Sequence, residues 1–337
     1  MTTTKSTLTT KSTLTTNQIQ QAKQLLREAE RPLLIAHPRP DGDTIGCTLA
    51  LRLVLLQLEK EPISACVHPI PANYTYLPGA GEFVQEVPED ANIDLVVAID
   101  MSDLSRTGGL YKESWREKYP LLVIDHHETN AAFGDVNIVE PEAAATALPL
   151  IEVIEALGVP VVDDIATCLL AAILTDTRGL RTDATTSQLL NLVADLAERG
   201  GDYQAVVQRS MDAVPYQQMK AWGEVLSRLH LEGRMAWATF PLETKEAMGI
   251  EDHDDLNLGN FLSQIAEADI IASFLEMRDG TIKVSFRSRP GYNVAWIADT
   301  LGGGGHRQAA GCSVPGPLDE AVDLVLPLVR KELTGSA

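Results

Sequence analysis

Four short segments of the sequence concentrate histidines and carboxylates in a way that suits metal binding. The first places His37, Asp41 and Asp43 within seven residues. A histidine and two carboxylates at this spacing can converge on a divalent cation, and Gly42 lets the loop turn tightly between the two acids. The alternative is a polar turn between a strand and a helix, in which Asp43 caps a helix that begins at Thr44.

The other three segments carry the same residue types. Asp100 ends an apolar run, and alone it is equally well explained as a helix cap or a turn residue. At 125–128 the sequence reads Asp-His-His-Glu. Two adjacent histidines behind an aspartate are seldom structural, although paired surface histidines occur. Asp176 follows a further apolar run, where a lone aspartate is more often a helix terminus or a turn.

The elements predicted around these segments place them at one edge of a sheet. Three apolar runs are predicted strands, and each runs into a histidine or an aspartate: Pro32–Ala36, Ile93–Ile99 and Pro120–Ile124. Helices are predicted at Thr44–Leu58, Thr146–Leu157 and Ile165–Leu174. This alternation is typical of an α/β fold with a parallel sheet, and ligands bind at the carboxyl ends of such strands.

A second, smaller α/β domain is predicted beyond a helical connection over Thr186–Val225. Its strands are predicted at Met235–Pro241, Ile270–Met277, Thr281–Arg287 and Ala310–Val314. Its helices are predicted at Val294–Leu301 and Asp319–Leu333. The turn at 278–280, Arg-Asp-Gly, indicates a hairpin. We predict a disordered tail at 1–16, where TTKSTL repeats, a first domain at 17–190, a helical linker at 191–228 and a second domain at 229–335, with a cleft between the domains.

Composition limits the partners of the chain. The net charge of −20 argues against wrapping a long nucleic-acid duplex, because phosphates would be repelled over a large surface. Between residues 275 and 315, however, five basic residues outnumber three acids. No apolar run is long enough to cross a bilayer. The four cysteines are scattered without metal-binding spacing, which predicts free thiols in a reducing cytoplasm.

In this order, the segments resemble the motifs of the DHH phosphoesterase family. The matching stretches are HPRPDGD at 37–43, VVAID at 96–100, DHH at 125–127 and TDT at 175–177. The run at 302–311, GGGGHRQAAG, resembles the GGGHxxAAG element of the DHH-associated C-terminal domain. The resemblance covers roughly Asn17 to Leu333. It is to the group of bacterial oligoribonucleases/pAp phosphatases and cyclic-dinucleotide phosphodiesterases.

The resemblance implies a two-metal centre in which Asp100 bridges the cations. One metal would be held by His37, Asp41 and Asp100, and the other by Asp43, Asp100, His126 and Asp176. Mn²⁺ is the usual cofactor of the family and suits carboxylates and imidazoles, with Mg²⁺ and Co²⁺ left open. A metal-bridging hydroxide would attack phosphorus in line. His127 would face the substrate, and Asp125 would orient a neighbouring histidine.

A second set of residues is implied to bind the substrate. The set comprises Arg106, Asn130, Arg287, Gly303, Gly304, Gly305 and His306. Consecutive glycines expose backbone N–H groups to an anion, and arginine suits phosphate, although a strand arginine is often merely solvated. Thr146 matches a polar position near the family's active site, or it caps a helix. Arg178 departs from the family, where many relatives have glycine, so Arg178 and Arg181 either contact substrate or face solvent.

The function implied is Mn²⁺-dependent hydrolysis of short oligoribonucleotides, pAp, or linear and cyclic dinucleotides in the cytoplasm. Homodimers are common among relatives, but no exposed stripe in this sequence demonstrates one. A single-strand exonuclease of RecJ type would normally bring more domains and a basic track. A family II pyrophosphatase would have a different C-terminal domain, rich in lysine and arginine. A non-catalytic nucleotide-sensing module would usually lack one of the metal ligands.

Overall fold

The structure, a computed structural model, describes residues 13–251 and 256–335. Residues 1–12 of the predicted tail and 252–255 of the predicted second domain lie outside the described residues. The contacts divide the chain into two units, with the boundary between Ala213 and Val214. This boundary falls inside the region predicted as a linker, and the predicted domain limits stay predictions.

The first unit is built on a five-stranded sheet in which all strands are parallel. Its strands are β1 (Pro32–Ala36), β2 (Ile63–Ala65), β3 (Leu95–Ile99), β4 (Leu121–Asp125) and β5 (Val136–Val139). All residues of β1, β3 and β4 are buried, and strands buried on both faces read as continuous apolar runs. Such runs are recognisable in the sequence, and all three predicted strands are confirmed, with ends shifted by at most two residues. The sequence did not indicate β2 and β5, which are short and less buried.

Helices cover one face of this sheet. They are α1 (Thr16–Glu28), α2 (Gly42–Gln57), α3 (Ala147–Leu157), α4 (Asp163–Asp176), α5 (Ser187–Glu198) and α6 (Tyr203–Val206), the last continued by a π-helix at Val207–Asp212. Alternate strand residues, such as Leu34 and Val97, pack against these helices. The residues between them, such as Leu33 and Val96, pack against loops around the buried Trp115. The predicted helices over α2, α3 and α4 are confirmed.

The contact between α2 and α4 is unusually close. Gly42 and Gly46, one turn apart on α2, face α4: a Cβ atom on Gly42 would lie 2.2 Å from Thr175 Oγ1, and one on Gly46 would lie 2.4 Å from the carbonyl oxygen of Cys168. Only glycine permits this approach. It brings the first turn of α2 next to the last turn of α4, where Asp43 and Asp176 lie.

The second unit contains a six-stranded mixed sheet in the order β10-β11-β9-β8-β7-β6. Its strands are β6 (Leu229–Glu232), β7 (Met235–Phe240), β8 (Ile270–Glu276), β9 (Thr281–Ser288), β10 (Gly304–His306) and β11 (Ala309–Pro315). Only β7 and β8 pair in parallel. The four predicted strands and the hairpin between β8 and β9 are confirmed. The short edge strands β6 and β10 were not predicted.

The helices of the second unit lie on both faces of its sheet. They are α7 (Tyr216–Leu226), α8 (Leu242–Ala247), α9 (Leu258–Leu262), α10 (Ala295–Thr300) and α11 (Leu318–Gly335). Residues of α10 and α11 pack on one face, and residues of α7 and α9 pack on the other. Both predicted helices, at α10 and α11, are confirmed. Among the described residues, neither unit has a helix with the length and apolar character needed to span a bilayer.

Candidate active site

The histidines and aspartates of the first unit meet where the strand order reverses. In the sheet order β2-β1-β3-β4-β5, the chain runs outward in one direction from β1 to β2 and then returns to place β3 on the other side of β1. Ligands of such sheets bind in the crevice at the carboxyl ends of these two strands. His37 follows β1 and Asp100 follows β3. The expectation that these residues share one edge of the sheet is confirmed.

The loop from His37 to Asp43 is fixed by the start of α2. Asp41 is the N-cap residue, and its carboxylate accepts hydrogen bonds from the backbone N–H groups of Asp43 and Thr44 at 3.1 and 3.2 Å. The alternative in which Asp43 caps a helix starting at Thr44 is therefore wrong, because the helix begins two residues earlier. The side chain of Asp43 is left to point into the site and is only 1% exposed.

His37 and Asp41 approach Asp100 to form one group of candidate ligands. His37 Nδ1 lies 2.9 Å from the carbonyl oxygen of Pro38, which leaves Nε2 free to bind a metal. His37 Nε2 lies 3.7 Å from Asp41 Oδ1 and 3.4 Å from Asp100 Oδ2. Three ligand atoms of this group lie within 4.8 Å of one another.

A second group lies on the other side of Asp100. His126 Nδ1 lies 3.0 Å from the carbonyl oxygen of Ala143, so its Nε2 is also free. That Nε2 atom is 3.5 Å from Asp176 Oδ2 and 3.8 Å from Asp43 Oδ2. It is also 3.8 Å from Asp100 Oδ1, so the two oxygens of Asp100 face different groups. The two groups contain the six residues that the resemblance implies as metal ligands.

The electrostatics of the cluster fit divalent cations. Burial, reinforced by Asp100, Asp176 and Asp41, raises the pKa of Asp43 well above its usual value. Burial likewise raises the pKa of Asp176 to about 6, although His126 opposes this effect. Four carboxylates thus converge in a site where their charges repel. Carboxylates and imidazoles are ligands of Mn²⁺, Mg²⁺ and Zn²⁺, and such cations would neutralise the excess negative charge.

The nearby carboxylates also change the pKa of His37, and the nearby histidines change that of Asp100. Burial lowers the pKa of His37, but the carboxylates of Asp100 and Asp41 next to its Nε2 outweigh this effect and raise that pKa to about 10. For Asp100 itself, burial would raise the pKa, yet the hydrogen bond from His37 and the nearby histidines hold it below the usual value. The nearby histidines therefore favour the ionised form of Asp100.

His127 has a different environment from His126. Its Nδ1 lies 2.7 Å from Asp125 Oδ1, and Asp125 Oδ2 accepts a hydrogen bond of 2.6 Å from Asn130. This hydrogen bond to Asp125 is the main cause of a raised pKa of His127. Asp100, His126 and His127 form a third group whose ligand atoms lie within 4.8 Å of one another. The atom of His127 nearest to Asp100 is, however, the Nδ1 that Asp125 engages, so we do not count His127 as a metal ligand. Its Nε2 makes no hydrogen bond to the described residues.

The predicted substrate residues of the first unit differ in their contacts and exposure. Asn130 donates to Asp125 and to the carbonyl oxygen of Met101, so it supports His127 indirectly. Arg106 is exposed on a 3₁₀ turn at Leu104–Thr107. Arg178 is also exposed and has a left-handed backbone, with φ of 52°. The described residues provide no hydrogen bond to the guanidinium of either arginine.

In the second unit, strand pairing brings Arg287 and His306 into one row. Arg287 on β9 lies opposite Ala309 on β11, and Ala309 lies opposite His306 on β10. Directly opposed residues share a face of a sheet, and two strand spacings separate these side chains by about 10 Å. Arg287 Nε also donates to Asn260 Oδ1 at 2.8 Å. The predicted anion-binding residues of this unit therefore lie together.

The glycine run owes part of its composition to packing. A Cβ atom on Gly303 would lie 2.2 Å from the carbonyl oxygen of Gly311, and one on Gly305 would lie 2.5 Å from Ala310 Cα. Gly305 also has φ of 141°. Gly304 is different, since its Cβ would meet nothing nearer than 3.8 Å. Gly303 and Gly305 are therefore explained by the close pairing of this run with β11.

Sequence reasoning missed two side chains that hold the site together. The thiol of Cys47 donates to Asp43 Oδ1 at 3.3 Å. Residues four apart on a helix are neighbours, but the predicted helix began at Thr44, one residue after Asp43. His68 Nδ1 accepts a hydrogen bond of 2.9 Å from the backbone N–H of Arg39, which lies in the loop between His37 and Asp41. No local pattern links His68 to that loop, because the two are 29 residues apart.

Comparison with known proteins identifies family domains and relatives of this chain. Residues 32–173 match the model of the "DHH family, N-terminal domain", and residues 250–334 match that of the "DHHA1 domain". The chain is 37% identical to the bifunctional oligoribonuclease and PAP phosphatase NrnA of Thermus thermophilus, over 92% of this chain and 93% of that protein. It is 25% identical to the cyclic-di-AMP phosphodiesterase GdpP of Geobacillus thermodenitrificans, over 84% of this chain and 44% of that protein.

A solved structure supports the fold independently. The crystal structure of an exopolyphosphatase-related protein from Bacteroides fragilis matches with a TM-score of 0.86 and 20% identity, over 96% of this chain and 98% of that one. At this identity the match concerns the fold. The family follows from the matched domains and from the identity to NrnA, and this chain belongs to the DHH family of phosphoesterases as a homologue of NrnA.

Proposed function

We propose that this protein is a two-metal phosphoesterase that hydrolyses short oligoribonucleotides, pAp, or linear and cyclic dinucleotides. The observation that carries the proposal is the pair of candidate ligand groups that share Asp100. The identity to an oligoribonuclease and PAP phosphatase over nearly the whole chain supports the substrate class. Cyclic dinucleotides enter the proposal because GdpP, a cyclic-di-AMP phosphodiesterase, is also a relative.

We assign one cation to His37, Asp41 and Asp100 and the other to Asp43, Asp100, His126 and Asp176. Divalent cations at these positions would stabilise charge on phosphoryl oxygens and supply a nucleophile at neutral pH. Asp100 offers one oxygen to each group and so fixes their separation. The Nδ1 hydrogen bonds of His37 and His126 to carbonyl oxygens direct Nε2 of both rings into the site.

His127 and Asp100 are the residues we propose as catalytic. Asp125, held in turn by Asn130, fixes the ring of His127 so that Nε2 can donate a hydrogen bond to a phosphoryl or leaving oxygen. A side chain held in this way loses little freedom when the substrate binds. Arg106, Arg287, Gly303–Gly305 and His306 would bind other groups of the nucleotide, since arginine suits phosphate and exposed backbone N–H groups suit anions.

We propose Mn²⁺ as the physiological cation, since the mixed carboxylate and imidazole ligand set suits it. We also propose a cytoplasmic location. The four cysteines are buried and unpaired, which fits a reducing compartment.

Two other functions are less well supported. A RecJ-type exonuclease acts on long single strands, whereas the net charge of −20 disfavours a long polyanion. A non-catalytic nucleotide sensor would not need a complete set of ligands, and all six proposed ligands are present. The second alternative also leaves the Asp125–His127 pair without a purpose.

Product analysis on a matched panel tests the proposal. Protein stripped with a chelator and reloaded with Mn²⁺ is given pAp, linear di- to pentanucleotides, a cyclic dinucleotide, a long single strand and pyrophosphate. We expect mononucleotide release from the short substrates, no product without metal and none from an Asp100→Asn variant. Cleavage of the long strand or of pyrophosphate alone would overturn the substrate assignment. No cleavage of any substrate would overturn the enzymatic function.

A further inference from the structure

A four-residue segment between β5 and α3, Ala143–Thr146, makes hydrogen bonds to three of the six proposed metal ligands. The carbonyl oxygen of Ala143 lies 3.0 Å from His126 Nδ1. The backbone N–H of Thr146 donates to Asp43 Oδ2 at 2.7 Å, and its hydroxyl donates to Asp100 Oδ1 at 3.0 Å. The three partners lie 17, 103 and 46 residues away along the chain. One short segment therefore contacts ligands that come from three different parts of the fold.

Thr146 occupies the N-cap position of α3 without capping it. A threonine there usually accepts a hydrogen bond from a free N–H group in the first turn of the helix. Here the side chain makes no such bond, and the backbone is already helical, with φ of −59° and ψ of −22°. The side chain is fully buried between Ala145 and Ala147, which are buried as well. The hydroxyl thus donates its hydrogen bond to the carboxylate of Asp100 and does not cap the helix.

We infer that Thr146 is a positioning residue of the metal centre, which holds the carboxylates of Asp100 and Asp43 at a fixed separation. The inference rests on the proposed function, since it assigns a role toward the same cations. Two buried carboxylates repel each other, and two donors from a single residue between them offset that repulsion and fix both orientations. A carboxylate oxygen that accepts one hydrogen bond keeps a second lone pair, so both side chains remain able to bind metal.

The contact fits the chemistry of metal sites more generally. Residues that hydrogen-bond to ligands orient them, and loss of such a partner typically weakens metal affinity or activity by about 10–100-fold. Thr146 has no proposed contact with the reacting atoms, so its effect must pass through Asp100 and Asp43. Its backbone N–H remains in any variant other than proline, and the hydroxyl can be removed alone.

Three variants separate this role from general packing. Thr146→Val removes the hydroxyl and keeps the shape and the backbone donor, whereas Thr146→Ser keeps the hydroxyl. Thr48→Val is the matched control, because Thr48 is equally buried but its hydroxyl donates to the carbonyl oxygen of Thr44 at 2.7 Å. If Thr146→Val does not fold, Thr146→Ala replaces it.

The readout is calorimetric titration of chelator-stripped protein with Mn²⁺ alone, together with kcat and KM for pAp. We expect Thr146→Val to bind Mn²⁺ about 10–100-fold more weakly and to lose kcat with little change in KM, with both recovered in Thr146→Ser. Thr48→Val should match the wild type. Wild-type Mn²⁺ affinity in Thr146→Val, equal losses in Thr146→Val and Thr48→Val, or no recovery with serine would each overturn the inference. If the wild type neither binds Mn²⁺ nor cleaves pAp, the proposed function itself fails.

Discussion

Replacing Gly46 with alanine tests how the fold positions Asp43 relative to Asp176. The new Cβ atom would lie 2.4 Å from the carbonyl oxygen of Cys168 and 3.0 Å from the backbone nitrogen of Ala172. A carbon atom ordinarily stays roughly 3.3–3.6 Å from a carbonyl oxygen. The substitution must therefore move α2 away from α4 by about 1 Å. The obstacle is backbone, which has no other rotamer to adopt.

Both stability and metal binding should respond to this displacement. Overpacking of a core costs typically about 1–3 kcal/mol, and the better helix propensity of alanine offsets about 1 kcal/mol of this cost. We therefore expect a net loss of up to about 2 kcal/mol in the free energy of unfolding. Asp43 would move with α2 while Asp176 stays with α4. A misplacement of about 1 Å can lower turnover by about 100-fold, and Mn²⁺ affinity should fall with it.

The matched control is Gly223→Ala, the same change in another helix. Gly223 lies within α7, and a Cβ atom there would have no neighbour within 4 Å. This variant should be more stable than the wild type by roughly 0.5–1 kcal/mol and should bind Mn²⁺ normally. Urea unfolding and Mn²⁺ titration measure both quantities. If Gly46→Ala were stabilised like Gly223→Ala and kept wild-type Mn²⁺ affinity, the close helix contact would not be what sets the ligand geometry.

Three further predictions concern other parts of the chain. Gly305→Ala should destabilise the second unit by about 3 kcal/mol or more in urea unfolding, because both φ and the approach to Ala310 exclude a side chain, whereas Gly304→Ala should be tolerated. Arg178→Gly should raise the free energy of unfolding by up to about 1 kcal/mol. The left-handed conformation of Arg178 costs a residue with a side chain roughly 1–2 kcal/mol, and glycine avoids this cost. The greater freedom of glycine in the unfolded chain offsets part of the gain. Hydrogen bonds from Arg234 and Tyr292 lower the pKa of Asp269, so its contribution to stability should be present above pH about 4 and lost as the pH falls further.

Each of these has a result that contradicts it. Equal stability of Gly305→Ala and Gly304→Ala would show that β10 does not pack as described. A loss of stability in Arg178→Gly would mean that the arginine side chain stabilises the fold by more than its backbone strain costs. For Asp269, urea midpoints of the wild type and Asp269→Asn between pH 3 and pH 7 should converge at low pH. A constant difference across that range would contradict the pKa argument.

The sheet of the first unit and its attached acids were predictable because of burial. Strands such as β1 and β3 are buried on both faces, so they appear as unbroken apolar runs, and polar residues after them stand out. Because ligands bind at the carboxyl ends of parallel strands, these polar residues predict one shared site even before the packing is known. The division of six side chains into two ligand groups came from the family resemblance and not from spacing. The structure brings the six side chains together, and their division between two cations stays a proposal.

What the sequence did not indicate depends on contacts between distant segments. The hydroxyl of Thr146 could have capped α3, and only the position of Asp100, 46 residues away, shows where it goes. Glycine is unfavourable within a helix, and only the packing of α4 against Gly46 accounts for its presence in α2. The strand β10 was hidden in a glycine run because its pairing with β11 leaves almost no local hydrophobic signal.

The number of Mn²⁺ ions bound by the chelator-stripped wild-type chain tests the central claim most directly. Calorimetric titration should give two ions per chain, and Asp100→Asn should not bind two, because Asp100 offers one oxygen to each ligand group. A wild-type chain that binds one ion or none, or an Asp100→Asn chain that still binds two with wild-type affinity, would contradict the shared-aspartate metal centre.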